Sequence, residues 1–454
     1  MPQDIRDFAD LPAPGLARPD DLIEDLGDGL LLRRAREEDI EAIAAFQAVV
    51  QADPPDFERY EHIAQWVRQL MDGSHPSARA RDFLLVHDTQ RELVASSLCL
   101  LRHQFAYDGV EVAAGMPELV GTHPDHRHRK LVARQFAEVH RWSDEGGDWM
   151  QVIDGIPWYY RQFGYEMAAQ RFGGRIVPHA DLPKKPVAGL RVRAARPGDE
   201  KFIAEAFDHG MQRYRLTCQR DQAFWGFELD GRRAFTTQTR FFRIVETESG
   251  EPRAVFNHVP ILIENGHTWT PFLEVAAGTS WKPPLMAALH DLREIGTELA
   301  VAGECEHAGA GLVLGTDHPA FDVLGHVGKQ RRPYAWYIRV ADLPGFLLHV
   351  APALEARLAH SIFEGHDGTL SLSFYRTGVR LRFEKGRLMA ATPWRPSTEE
   401  VGDAAFPDLS FLHLLFGHRS LGELENAFPD VQVKEAALVE ALFPKQASFL
   451  MATS

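Results

Sequence analysis

The chain has 454 residues, room for about two to four domains that each bury a core, and 49 Lys and Arg against 64 Asp and Glu leave a net charge of −15. An acidic surface repels polyanions, so this balance argues against a nucleic-acid partner and weakly for a cationic small molecule. Cys99, Cys218 and Cys305 lack the paired spacing of a zinc site or disulfide framework, no run reaches the roughly 18 to 20 apolar residues of a membrane span, and the acidic, Pro-rich start has no signal-peptide core, which together predict a cytoplasmic protein with no membrane contact.

Residues 1–28 read as a loose leader. The stretch "LLLRRAREEDIEAIAAFQAVV" then predicts a strand ending near Arg33, a loop, and a helix with Ile40, Ile43, Ala44 and Phe46 on one face. "DFLLVHDT" and "ELVASSLCLLRH" predict strands around a turn, and "ELVGTH" a further strand. "KLVARQFAEVHRWSDEGG" predicts a helix and "DWMQVID" a strand before a short helix.

Downstream, "LRVRAARPGDEKFIAEAF" repeats the first segment: Arg193, Ala195, Arg196, Asp199 and Ile203 fall on Arg33, Ala35, Arg36, Asp39 and Ile43 at one offset of 160 (193 − 33). "FDVLGH" from Phe321 lies over "YRQFGY" from Tyr160 at 161 (321 − 160). Two matches at nearly one offset predict a duplicated unit. The second copy carries strands in "FFRIVET", "AVFNHVPILI" and "WTPFLEVAA" and a helix in "PPLMAALHDLREIG". After it, "GTLSLSFYRTGVRLRFEKGRLMAAT" alternates as antiparallel strands do, and "LSFLHLLFG" and "EAALVEALFP" predict helices of a closing α+β domain.

The chemistry concentrates in "THPDHRHRKLVARQF", where a strand passes through a basic loop into a helix. The first amides of a helix have no intrahelical partner, so its N-terminus attracts anions, and Arg127, Arg129 and Lys130 add positive charge around it. His123, His126 and His128 sit among competing positive charge without nearby carboxylate or thiolate ligands, and no metal is predicted.

The order of these parts resembles the Gcn5-related N-acetyltransferase (GNAT) family, whose Arg/Gln-x-x-Gly-x-Gly/Ala loop cradles the pyrophosphate of acetyl-CoA. Arg127 matches the family arginine, while Lys130 and Val132 stand where Gly and Gly/Ala are usual. "PWYYRQFGY" matches a second landmark, with Tyr160 at the position of the tyrosine near the cofactor sulfur and Gly164 and Tyr165 as the closing Gly-aromatic pair. The whole layout resembles the Eis (enhanced intracellular survival) acetyltransferases, whose Pro-x-His-Arg-Arg-Arg-Gly-Leu-Leu-Arg segment "PDHRHRKLVAR" is similar to.

The resemblance implies an α/β and α+β fold of two tandem GNAT-like mixed-sheet domains, catalytic over 29–183 and diverged over 184–348, then a sterol-carrier-protein-like α+β domain over 349–454. It implies acetyl-CoA as co-substrate, held by the main chain of Val120, Gly121 and Thr122, by Arg127, His128, Arg129 and Lys130, and by the helix start at Leu131, Val132 and Ala133. Tyr160 is the expected acid for the departing thiolate, and Tyr159 is expected to pack. The base is the C-terminal carboxylate of Ser454, Glu118 or water, and Phe321, with no proton to give, implies a silent second copy. The expected activity is acetyl transfer to a primary amine of a cationic small molecule or lysine side chain, by a homo-oligomer. The alternative is a non-catalytic acyl-CoA-binding or lipid-carrier protein on the same scaffold.

Overall fold

The computed structural model describes residues 8, 10–52, 60–231 and 235–451. A hairpin of β1 (Leu22–Gly27) and β2 (Leu30–Arg34) opens the first sheet, so an edge strand lies within the stretch read as a leader. There follow α1 (Ile40–Val50), α2 (Glu61–Met71), β3 (Phe83–Asp88), β4 (Leu93–Tyr107), β5 (Val110–Thr122), α3 (Leu131–Glu145), β6 (Met150–Ile153) and β7 (Glu166–Arg171). β5 begins well before the "ELVGTH" segment. Asp108 and Gly109 form a two-residue turn that folds Val110 back onto Tyr107, and the long antiparallel ladder with β4 carries the strand past Gly115 and Pro117.

The middle of the chain supplies β8 (Gly174–Pro178), β9 (Leu190–Ala194), α4 (Glu200–Met211), β10 (Leu216–Cys218), α5 (Gln222–Gly226), β11 (Phe241–Thr247), β12 (Pro252–His258), β13 (His267–Thr270) and β14 (Leu273–Val275). It continues with α6 (Lys282–Ala302), β15 (Gly309–Leu312), α7 (Ala320–Leu324), β16 (Lys329–Arg331) and β17 (Tyr334–Arg339). Two four-stranded sheets result, ordered β14-β12-β11-β9 and β13-β15-β8-β16.

The strands are exchanged. β17 inserts between β6 and β7, giving the first sheet the order β1-β2-β3-β4-β5-β6-β17-β7, while β10 pairs with β4. β8, which directly follows β7, pairs in turn with β15 and β16. No single cut of the chain separates these sheets.

The last part contains α8 (Leu343–His349), α9 (Ala351–Ala359), β18 (Gly368–Ser373), β19 (Gly378–Glu384), β20 (Arg387–Trp394), β21 (Ala404–Ala405), α10 (Phe411–Leu415), α11 (Leu421–Ala427), β22 (Gln432–Val433) and α12 (Ala436–Leu442). Its sheet runs β20-β19-β18-β21-β22. One apolar core joins it to the first sheet, with Leu70, Leu101 and Trp336 in the same cluster as Phe346, Leu354 and Leu415. Tyr107 Oη donates to Leu415 O at 2.6 Å, and Arg357 Nε to Asp108 Oδ2 at 3.0 Å, across the same junction. No helix of the described residues is long and apolar enough to cross a membrane. The whole is a mixed α/β protein with several sheets.

The repeated sequence segment is a repeated piece of structure. Arg33 grips Asp39 with two nitrogens, at 2.7 and 2.8 Å, and Asp39 Oδ2 accepts the Arg36 amide at 2.9 Å, which ties the end of β2 to the start of α1. Arg193 grips Asp199 at 2.7 and 2.9 Å, and the Arg196 amide donates to Asp199 at 2.8 Å, between β9 and α4. The first pair is 1% exposed on both sides and the second 22% and 11%. Removing one partner of a fully buried pair strands a charge, at a cost of about 3–5 kcal/mol, whereas a wetted pair is rehydrated. Arg33→Ala is therefore expected to lower unfolding free energy by about that amount, and Arg193→Ala by less than half of it; equal losses in denaturant melts would contradict this account.

Candidate active site

β5 and β6 pair in parallel at only two positions, Ala114 with Met150 and Gly115 with Gln151, and then part. Beyond Gly115, β5 has no strand partner on its β6 side among the described residues. A bulge at Leu119, whose φ is 55°, shifts the register with β4 between Ser97 and Cys99.

Side chains fix the parted strand. Gln47 Nε2 of α1 donates to Leu119 O at 2.5 Å and Gln51 Nε2, just past the end of α1, to Val120 O at 3.2 Å, while Ser96 Oγ lies 2.7 Å from Gly121 O. A Cβ on Gly121 would stand 2.5 Å from Val50 Cγ1, so only glycine lets α1 approach this closely.

The basic loop is held by its histidines. His123 Nδ1 accepts the Asp125 amide at 3.2 Å, and buried His126 faces Asp88 with Nε2 3.3 Å from Oδ2. Burial lowers the pKa of both rings and favours their neutral forms, leaving the arginines and Lys130 as the loop's permanent charge. Among the described residues no group of three or more His, Cys, Asp and Glu could hold a metal ion. His128 and Lys130 adopt left-handed φ of 65° and 60°, and α3 begins at Leu131 with no side-chain cap and no acid in its first turn. Its first amides are thus open to an anion.

β6 ends in a turn that delivers Tyr160 in a short 3-10 segment (Tyr159–Phe163). The Tyr160 ring is 4% exposed and packs against Phe136 of α3 and Tyr337 of β17, with centroids 5.7 and 5.5 Å apart. A Cβ on Gly155, whose φ is 140°, would lie 3.2 Å from Tyr160 Oη. Two tyrosines of β17 hold this turn: Tyr334 Oη donates to Gly155 O at 2.7 Å and Tyr337 Oη to Ile156 O at 3.2 Å.

These parts converge on one open cleft of about 640 Å³. Val120, Gly121, Thr122, Arg127, His128, Arg129, Lys130, Leu131, Val132, Ala133 and Tyr160 all line it. So do Val50, Gln51, Ile156, Tyr159, Gln162 and Phe163, which the sequence reading did not assign to the site. Gln162 and Phe163 lay inside the quoted aromatic motif; Val50 and Gln51 gave no signal, because helix α1 reaches the cleft only through packing. In the second half, Phe321 is buried beneath the Arg175 guanidinium, 5.4 Å from its ring centroid.

Glu118 sits on the parted strand beside the cleft, outside its lining. Burial pushes its carboxyl up to about 7, partly offset by the Arg171 charge. Burial also raises the Tyr160 phenol, and the Glu118 charge adds to the effect. Arg171 in turn pairs with Asp154, next to Gly155. Ser454 lies outside the described residues.

Residues 32–168 match the acetyltransferase (GNAT) domain family. The fold is similar to a GCN5-related N-acetyltransferase from Anabaena variabilis, with a TM-score of 0.64 at 14% identity over 93% of this chain and 99% of that one. A GCN5-related N-acetyltransferase from Kribbella flavida gives 0.61 at 15% identity over 94% and 98%, and Eis1 from Mycobacterium abscessus 0.58 at 12% over 92% and 98%. No curated protein matches the sequence.

The left-handed backbone at Lys130 carries a test. A Cβ in that region costs about 1–2 kcal/mol, most for β-branched side chains, and Lys130 is exposed, so little else changes on substitution. Lys130→Gly is expected to match or exceed the parent stability, and Lys130→Val to lose about 1–2 kcal/mol in denaturant melts. The reverse order would show that this loop does not hold its left-handed turn.

Proposed function

We propose that the protein is an acetyl-CoA-dependent N-acetyltransferase whose acceptor is a primary amine of a cationic small molecule or lysine side chain, a reading supported by the match of residues 32–168 to the acetyltransferase (GNAT) domain family. The observation that carries this reading is the convergence of the basic loop, the uncapped α3 start, the unpartnered β5 edge and the buried Tyr160 phenol on one cleft. The residues fit the co-substrate: the α3 amides at Leu131, Val132 and Ala133, with Arg127, His128, Arg129 and Lys130, suit its pyrophosphate. The main chain of Val120, Gly121 and Thr122 suits the pantetheine amides, which add to a strand edge as another strand would.

Acetyl-CoA supplies a thioester carbonyl and a thiolate leaving group. A neutral amine attacks the carbonyl carbon; a C–N bond forms, the C–S bond breaks, and Tyr160 passes its proton to sulfur. Its raised pKa suits that role, because the phenol stays protonated until charge develops on the leaving group. The amine's surplus proton goes to Glu118 in this reading, with the Ser454 carboxylate and water as the other acceptors. A carboxyl that titrates near neutrality is suited to take a proton from an ammonium.

On the same reading the chain is a catalytic domain over 29–183, a diverged GNAT-like domain over 184–348 and a sterol-carrier-protein-like domain over 349–454, with β8 and β17 exchanged between the sheets of the first two. The two Arg–Asp clamps at a shared offset support the duplication, and Phe321 at the position of Tyr160 makes the second unit catalytically silent. The protein would work in the cytoplasm as a homo-oligomer.

Tyr160→Phe is expected to lower the rate of thiol release at least about 100-fold, the usual contribution of a general acid, while leaving acetyl-CoA affinity in calorimetry unchanged. Undiminished turnover removes Tyr160 from the mechanism. Glu118 acts as a base only when deprotonated, and its pKa is raised, so kcat/KM should fall as pH drops below about 7. Glu118→Gln should abolish that limb; a limb that persists assigns the base elsewhere.

A further inference from the structure

Three consecutive carbonyls of the parted strand are already engaged by side chains. Leu119 O accepts from Gln47 Nε2 at 2.5 Å, Val120 O accepts from Gln51 Nε2 at 3.2 Å, and Gly121 O lies 2.7 Å from Ser96 Oγ. A ligand laid along this stretch as an added strand would bring amide N–H groups that each need an acceptor, because an N–H taken out of water without one forfeits its hydration. Between Leu119 and Gly121 the main chain has no uncommitted carbonyl to give it.

The partners of the two glutamines fix which way their amides face. Gln47 is 0% exposed, and its Nε2 sits between Leu119 O and Ser97 Oγ at 2.5 and 2.7 Å; the reversed amide would set two carbonyl oxygens against each other. Gln47 Oε1 therefore accepts from Gln51 Nε2, at 3.0 Å, and the same nitrogen reaches Val120 O. Both N–H groups of Gln51 are thus spent inside the protein. Gln51 Oε1 is left as the atom of this relay with no partner among the described residues, and Gln51 is half-buried in the wall of the cleft.

Building on the co-substrate reading above, we infer that Gln51 Oε1 accepts a hydrogen bond from an amide N–H of the pantetheine arm. The side-chain carbonyl stands in for the Val120 carbonyl that the same residue covers. With its donors consumed, Gln51 reads an N–H on the ligand and cannot read a C=O. Gln47 is a positioning residue: it turns the Gln51 oxygen outward and does not itself line the cleft.

Calorimetry on the full chain with free CoA tests this without any turnover. Gln51→Met keeps the length of the side chain and its cover over Val120 O but removes the acceptor. It should weaken CoA binding about tenfold or more and leave the affinity for adenosine 3′,5′-bisphosphate, which has no pantetheine arm, unchanged. Gln51→Leu repeats the comparison should the Met variant fold poorly. CoA affinity equal to wild type overturns the assignment, and so does an equal loss on both ligands, which marks a general distortion of the cleft. Gln51→Ala uncovers Val120 O and should bind CoA more tightly than Gln51→Met; the opposite order overturns the stand-in role. A wild-type chain that binds no CoA overturns the co-substrate reading and this assignment with it, whereas variants without a loss overturn the assignment alone.

Discussion

One strand pairing organises this molecule: β17, drawn from residues 334–339, lies between β6 and β7 of a sheet whose other principal strands end by residue 171. β6 has only two ladder positions with β5, so without β17 it would be a short edge held by little. The same strand supplies Tyr334 and Tyr337, whose hydroxyls fasten the turn that carries Tyr160. Parting of β5 and β6 opens the cleft; insertion of β17 makes that parting affordable. The second half of the chain thus shapes the first half's site without lining it.

The exchange also builds a second, smaller pocket. Because β8 leaves directly after β7 to pair with β15 and β16, Arg171 near the end of β7 lines one pocket with Val313 and Gly315 after β15 and with Asn257 of the other four-stranded sheet. The C-terminal tail lies in the same seam, where Phe449 donates its amide to Leu216 O at 2.9 Å and Arg220 reaches Met451 O. Three separate stretches of sequence therefore meet at this pocket. In the basic loop the physical balance is different. His128 and Lys130 hold left-handed backbone that glycine would adopt at less cost, and both side chains are exposed at the cleft rim. Lysine keeps the turn and adds a charge.

Much of the first site was legible in residues 120–133 and 160, because its parts are local: a strand, a basic loop, a helix start and an aromatic turn each leave their own pattern. The repeat was legible for a similar reason. Arg33 and Asp39 are six apart, as are Arg193 and Asp199, so a short motif encodes a whole clamp. The reach of β5 back to Val110 was not legible, since Gly115 and Pro117 argue against a strand until the ladder with β4 outweighs them.

By itself the sequence determined the elements around the cleft, the charge of its loop and the twofold use of the Arg–Asp clamp, all of which rest on contacts between near neighbours in the chain. Only the tertiary structure decided which strand fills the gap beside β6, that Gln47 and Gln51 hold the carbonyls of the parted strand, and that Asn257 and Arg171 line one pocket. Those are pairings between residues tens to hundreds of positions apart. A strand's periodicity records which face it buries, and nothing in it records which edge it will join.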